Sequence, residues 1–463
     1  MAIFFYKGND NILESEKGNG QKSDQTGKKK IQDSFLKVLD NKNLSFLLGS
    51  GCSSYEVREE KKVGPEETPD TPILEVKQIG IPVMAPLAKE FYNLDDFKEQ
   101  KEWLNKELNI DVSDKTFSTN LEMFLSTLHS LSFYHLRKTK KSEDDKSSDN
   151  EEKKEISKPF EELTQAEKID SIMLLARNFL LKKCLNENNS KENNGTPSND
   201  SPVIELYKQF YRKLLSRNST LPRLNIFTTN YDLYSEKAMD LLGIHYVNGF
   251  TGGISKFFNP AIFNYALAEK MDLSQSKWSV IDNFFYLYKV HGSVNWVEAK
   301  GQRQNKLFNV KEIQDPEYAR LKDESTIMIH PTPLKYNASL GSPYSDLFRE
   351  FQRKLMQNNN ILVTVGYSFN DEHINNLIFQ AFTIPSFRLI VIGQPTEGSA
   401  IGQLLDLNDS RIWIIGEADH PDEEGIPIHY FKRFVEEILP DLTAEDLDKK
   451  MEDTINKLKE LLK

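Results

Sequence analysis

The chain has 463 residues, and 59 Lys plus Arg against 70 Asp plus Glu give a formal charge of −11, so no positive field gathers phosphate backbones and direct nucleic-acid binding is not expected. Two cysteines, Cys52 and Cys184, are too few for a disulfide framework or a four-cysteine zinc site and fit a reducing cytoplasm. No apolar run approaches the roughly 20 residues that cross a bilayer, and the short apolar stretch at the N-terminus is too brief for a signal-peptide core; a soluble cytoplasmic protein with no membrane contact is expected.

Residues 1–30 read as a polar N-terminal tail, because 7–30 carry Gly, Lys, Asp and Gln and few apolar side chains. Beyond it, short runs rich in Leu, Ile, Val and Phe recur at Leu44–Leu48, Leu224–Thr228, Phe284–Val290, Thr326–Ile329, Asn360–Val365, Arg388–Ile392 and Arg411–Ile415. Continuous apolar runs separated by helical segments are what a sheet buried on both faces requires. They predict an α/β fold: a Rossmann-type doubly wound, mainly parallel sheet with helical insertions and a C-terminal helical tail. Between the first two runs, the polar stretches 138–159 and 186–202 predict solvated loops around Phe160–Leu185, where Leu163, Ala166, Ile169, Ile172, Met173 and Ala176 share one helical face. The main folded domain is therefore drawn over 31–400, with a helical and low-complexity insertion over about 131–204. Residues 401–463 add a final strand and an amphipathic helix. That helix opens with a Thr443/Asp446 capping box and carries Leu447, Met451, Ile455, Leu458 and Leu462 on one face. It either docks on its own domain or contacts another chain.

Ligands of doubly wound sheets bind beyond the carboxyl ends of the strands, so the residues following each run carry the chemistry. Gly49-Ser50-Gly51-Cys52-Ser53 follows the first run. Glycines there let backbone N–H groups approach a diphosphate, although a tight strand-to-helix turn without ligand has the same sequence. Thr229-Asn230-Tyr231-Asp232 offers an amide and a carboxylate for ribose hydroxyls or a carboxamide, or else a helix cap. His291, before Gly292, is placed to accept a proton near neutral pH, or is structural. Gly366-Tyr367-Ser368 again permits close approach and supplies a phosphate donor, while Asp371 suits a cap for the helix that begins near Glu372.

The order G-S-G-C-S, T-T-N-Y-D, H-G-S, G-Y-S-F, each after an apolar run, resembles the sirtuin superfamily. Within it, the pattern is similar to divergent bacterial sirtuin-like NAD hydrolases of antiphage defence, over roughly residues 31–400. His330-Pro331-Thr332-Pro333-Leu334-Lys335 also looks like that branch, as does Asn120–Ser126, a helix over the pocket there or else a plain core helix. The resemblance implies that Gly49, Ser50, Gly51 and Ser53 line the diphosphate and nicotinamide side of an NAD site, with Thr229 beside them. It implies that Asn230 holds the nicotinamide ribose, Asp232 faces the carboxamide and His291 is the catalytic base. Gly366 and Ser368 would flank the phosphates, and Gly393 would lie near the adenosine ribose.

Departures from the deacylases are as informative. Two isolated cysteines cannot build their zinc ribbon, so no zinc or other metal is expected. Ile79-Gly80-Ile81-Pro82 resembles the segment after their glycine loop, but Val83-Met84 stands where Asp and an aromatic residue continue it, and the polar stretch Tyr55–Gln78 intervenes. Both favour water as nucleophile. The expected activity is NAD glycohydrolysis, with NAD as substrate and nicotinamide and ADP-ribose as products, regulated within defence because unrestrained NAD loss kills the host. ADP-ribosyl transfer, deacylation and NAD or ADP-ribose sensing without turnover are the alternatives. With no Walker-type G-x-x-x-x-G-K-[ST], any ATPase work or nucleic-acid sensing falls to another subunit. By resemblance that partner is a hexameric translocase-type ATPase or another sensor, and the chain itself is expected to form a homo-oligomer.

Overall fold

The computed structural model describes residues 3–13, 23–60, 74–140, 159–185, 201–272, 277–299, 310–322, 324, 326–328, 342–419 and 425–441. The strands, in chain order, are β1 (Ile3–Lys7), β2 (Asp10–Asn11), β3 (Asn43–Leu48), β4 (Ser54–Glu60), β5 (Leu74–Gly80) and β6 (Asn225–Thr228). Next come β7 (His245–Val247), β8 (Phe250–Thr251), β9 (Lys256–Phe258), β10 (Ala268–Asp272), β11 (Lys277–Val280) and β12 (Phe284–Lys289). The last are β13 (Gly292–Glu298), β14 (Val310–Glu312), β15 (Thr326–Met328), β16 (Asn360–Val365), β17 (Arg388–Ile392) and β18 (Ile412–Glu417).

A nine-stranded sheet has the order β2-β1-β18-β17-β16-β3-β6-β12-β7. From β18 to β7 neighbouring strands are parallel, while β1 runs antiparallel to β18 and β2 to β1. Alternate side chains of each central strand feed two cores. Phe46 and Leu48 of β3 and Val363 and Val365 of β16 pack with the helices Ser23–Leu39 and Pro202–Leu215. Leu47 and Leu362 pack on the opposite side with the helices Tyr344–Leu355 and Glu372–Ala381. Burial on both faces is why these runs read as continuously apolar, each large side chain contributing about 1.5–3 kcal/mol.

Leu48 lies opposite both Val365 and Thr228, Thr228 opposite Lys289, and Val365, Ile392 and Ile415 continue the row. These strands therefore end level with one another. The chain runs from β3 outward through β6 and β12, then returns to β3's other flank as β16. At that reversal of strand order the connections diverge and leave a crevice.

A third, helical core lies over the crevice. It collects Leu87 and Phe91 from the helix Met84–Tyr92, Leu104 from Lys98–Leu108, Phe124 and Leu128 from Leu121–Lys140, and Ile169 and Ile172 from Gln165–Leu185. Leu181 and Leu185, at the far end of the last helix, enter the sheet's core and tie this roof to it.

Several expectations change. The polar tail drawn over 1–30 contains β1 and the opening of the helix Ser23–Leu39. Phe4 and Phe5 are buried against β18, and the large apolar side chains that the helix buries, Ile31, Phe35, Val38 and Leu39, come from its later turns, so the average composition of the tail hides both elements. Thr326–Met328 forms a strand, but outside the parallel sheet: β15 pairs antiparallel with β13 in a second sheet of order β15-β13-β14-β9-β8. Apolar content alone does not distinguish the two settings. The helix expected over Phe160–Leu185 begins at Gln165 after a turn at Phe160–Glu162. The roof also recruits residues 84–130, which the expected insertion omitted. The polar stretches over 141–158 and 186–200, His330–Lys335 and the amphipathic helix from Thr443 lie outside the described residues. Among the described residues no helix is long and apolar enough to cross a membrane.

Candidate active site

The glycine turn after β3 is built against the loop after β16. Gly49 N–H donates to Val365 O at 2.9 Å and Gly51 N–H to Gly366 O at 3.0 Å. A Cβ on Gly49 would fall 2.4 Å from Gly366 O, and one on Gly51 2.9 Å from Gly366 Cα. Gly366 itself has φ +62° and would bring a Cβ 2.8 Å from Cys52 N. The three glycines thus admit a backbone-to-backbone contact between loops, and Ser50, Ser53 and Ser368 of those loops are among the residues lining the cavity. Cys52 does not join them. Its Sγ lies 3.2 Å from Val365 O, and burial together with the charge of Asp232 pushes its thiol well up.

The polar stretch after this turn closes on itself at its base. β4 and β5 pair antiparallel with Ser54 opposite Gly80, and Ile81 N–H donates to Ser53 O at 2.9 Å. Ile81 and Pro82 are thereby returned to the cavity wall directly beside Ser53.

After β6, Thr229 N–H donates to Leu48 O at 3.1 Å, and Asn230 Nδ2 donates to Gly49 O at 2.9 Å, which fixes the amide plane at the cavity edge. Asp232 has both oxygens engaged: Oδ2 accepts from Ser53 Oγ at 2.6 Å, and Oδ1 from Tyr234 N–H at the start of the helix Tyr234–Leu241. The helix-capping alternative thus describes one of its oxygens, and Ser53 holds the other. Beneath the loop, Lys289 is buried with Nζ bonded to the carbonyls of Tyr231 and Asp232 and paired with Glu236 Oε1 at 3.0 Å. Burial raises the carboxyl pKa of Glu236, and the Lys289 charge opposes the rise. Tyr231 O also accepts from Val294 N–H at 3.1 Å and Ser293 Oγ at 3.3 Å, so the Asn230–Asp232 segment is pinned from both sides.

His291 leaves the sheet where β12 ends, is 4% exposed and lines the same cavity. Its Nε2 lies 3.0 Å from Nε2 of His373, in the first turn of the helix Glu372–Ala381. Asp371 completes a group with ligand atoms all within 4.8 Å. It occupies the N-cap position but makes no side-chain cap bond. The loop leading to it is held by Tyr367 Oη donating to Asn375 Oδ1 at 3.0 Å and by Asn375 Nδ2 donating to Phe369 O at 2.7 Å.

The cavity measures about 1210 Å³. Its floor is Ser50, Ser53, Asn230, Asp232, His291 and Ser368; its roof is Met84, Leu87, Asn120, Glu122, Met123 and Leu125. The helix expected over the pocket is therefore there, with Asn120 Oδ1 accepting from Met123 N–H at 3.0 Å. Cys184 also reaches the wall, with its thiol pushed up to about 12 by burial, which leaves it no thiolate for nucleophilic work. Gly393 does not line the cavity, nor do Gly49, Gly51 and Gly366: the Gly393 N–H donates to Ile415 O at 3.0 Å, and a Cβ there would fall 2.8 Å from Ile401 Cδ1. Sequence reading singled out strand ends and so passed over His373, which stands within a helix; its signal was a histidine two residues beyond Asp371 at the mouth of the sheet.

Residues 224–386 match the SIR2-like domain family, a stretch that contains Asn230, Asp232, His291, Gly366 and Ser368 and leaves out the glycine turn and Gly393. No curated protein matches the chain. SIR2-like domains bind NAD, and the match points to an NAD-dependent enzyme.

Proposed function

We propose that this chain hydrolyses NAD to nicotinamide and ADP-ribose in a Rossmann-type site. The observation carrying the reading is that adjacent strands β6 and β12 deliver Asn230 and His291 into one roofed cavity at the reversal of strand order. Cleaving the nicotinamide–ribose bond develops an oxocarbenium-like sugar, so the site has to orient the leaving group and deliver a nucleophile. Asn230, its amide plane fixed by Gly49, orients the ribose hydroxyls. His291 takes a proton from water or from a ribose hydroxyl. Ser53 commits its hydrogen to Asp232 and so offers lone pairs to the carboxamide N–H, which moves that contact from Asp232 to Ser53. The roof limits water around the reacting bond.

The setting proposed is a cytoplasmic, regulated effector of antiphage defence. It acts as a homo-oligomer that another subunit, a hexameric translocase-type ATPase or a different sensor, releases. The acidic balance of the chain supports leaving nucleic-acid sensing to that partner. Incubation of NAD with the full chain, alone and with its genomic neighbour, followed by chromatography, tests the chemistry. Equal nicotinamide and ADP-ribose without added peptide are expected. ADP-ribose recovered on protein overturns hydrolysis in favour of transfer, and tight NAD binding with no nicotinamide released overturns it in favour of sensing.

A further inference from the structure

The proposed base is not alone at its end of the cavity. His291 enters from the end of β12, while His373 and Asp371 enter from the junction between β16 and its following helix. Two imidazoles and a carboxylate from separate, firmly packed elements are a donor set of first-row divalent cations. With metal–nitrogen bonds near 2.0–2.1 Å, two nitrogens sit about 2.9 Å apart at a right angle and about 3.4 Å apart at the tetrahedral angle. The observed 3.0 Å between the Nε2 atoms falls inside that interval.

A proton shared between neutral rings also suits 3.0 Å. A cation differs in drawing on three donors rather than two, and the carboxylate of Asp371 brings the third to within 4.8 Å. Phe348, with its ring edge-on to His373 at 5.2 Å between centroids, helps hold that ring against His291. All three residues also line the cavity, so a hydrated cation can reach them and keep water in its remaining positions.

We infer that His291, Asp371 and His373 form a binding site for a zinc-class divalent cation, with three protein ligands and its other positions open to the cavity. Coordination takes the Nε2 lone pair of His291. Resting on the NAD-hydrolase reading, the cation is then an inhibitor: it withdraws the base while bound and restores it on release.

The test uses the full chain stripped with a chelator. Zinc is titrated by calorimetry, and cobalt(II) is followed by its visible absorption, neither of which requires turnover. One zinc per chain is expected, with affinity lowered at least about tenfold in His373→Ala and in Asp371→Asn. His373→Gln, checked with the others by circular dichroism, provides a folded ligand-loss variant if the alanine form does not fold. Zinc should also slow NAD cleavage by the wild type, and the fold inhibition, normalised to each variant's own rate, should shrink in both ligand variants. Absence of zinc binding, or binding equal in wild type and folded variants, overturns the site. Binding at these residues with no effect on cleavage overturns the inhibition. Zinc bound here by a chain that never cleaves NAD keeps the site and overturns the hydrolase reading instead.

Discussion

The floor and the roof of the cavity are built by opposite means. The floor is polar and committed to itself: Asn230 to Gly49, Ser53 to Asp232, and Lys289 to Glu236 and the Tyr231 and Asp232 carbonyls. Each bond spans distant parts of the chain, and short loops leaving a level row of strand ends bring the partners together. The roof has Asn120 and Glu122 on its cavity side but is held by apolar side-chain packing among helices, with Phe91 against Phe97 at 4.7 Å between ring centroids and Tyr92 edge-on to Phe124. Geometry at the floor is set by hydrogen bonds that tolerate little displacement. Geometry at the roof is set by close packing that tolerates exchange of similar volumes. Substitutions at the floor are therefore expected to act on chemistry or on the whole fold, and those at the roof on access.

The largest effect expected is at His291. His291→Ala should lower NAD turnover by about 10²- to 10⁴-fold with the melting temperature nearly unchanged, both read on one preparation. Turnover within a few-fold of wild type would break the division of labour at its centre. Lys289→Met leaves Glu236 buried without its cation and takes the ammonium away from the Tyr231 and Asp232 carbonyls, and should cost about 3–5 kcal/mol in denaturant unfolding. Adding Glu236→Gln should recover part of that loss, and an equally unstable double variant would show the pair does not couple. Gly49→Ala drives a Cβ into Gly366 O and should cost about 1–3 kcal/mol, whereas a roof exchange such as Leu125→Met should cost less than about 1.5 kcal/mol and alter KM more than kcat.

The smallest effect sharpens the comparison from outside the cavity. His429 is half-buried at the end of β18, where its Nδ1 accepts from Glu417 N–H at 3.4 Å, and desolvation lowers its pKa from about 6.5 to about 4. A histidine depressed on folding binds fewer protons folded than unfolded, so its contribution is full above pH 6.5 and is lost as pH falls toward 4. Melting temperatures of wild type and His429→Gln across that window should converge at the acid end, and parallel curves would remove His429 from the account.

The floor was largely legible in the sequence because its residues follow apolar runs, and a fully buried strand announces its end by the first glycine, asparagine or histidine after it. Asp232 was legible only as two alternatives, since the same carboxylate can serve as cap or as ligand and only its neighbours decide. Ser53 as that neighbour could not be read, because the contact crosses from one strand end to the next. His373 was hidden for a related reason: periodicity locates a helix but not which side chain in its first turn meets the adjacent strand. The roof was partly legible in Phe160–Leu185, whereas its other half, around Phe91 and Phe97, lies in short helices whose apolar residues pair only across the chain. β1 escaped because five residues inside a polar stretch carry little average signal.

The contact between Gly49, Gly51 and Gly366 also bears on how this protein can change over generations. A side chain at any one of the three collides with main chain rather than with a yielding side chain, so no single compensating substitution nearby relieves it. Drift at these positions is blocked one step at a time. The loop carrying Ser53 and the loop carrying Ser368, Asp371 and His373 are thereby bound to a common fate, and new substrate preferences are more accessible through the helices above than through the turn that joins them.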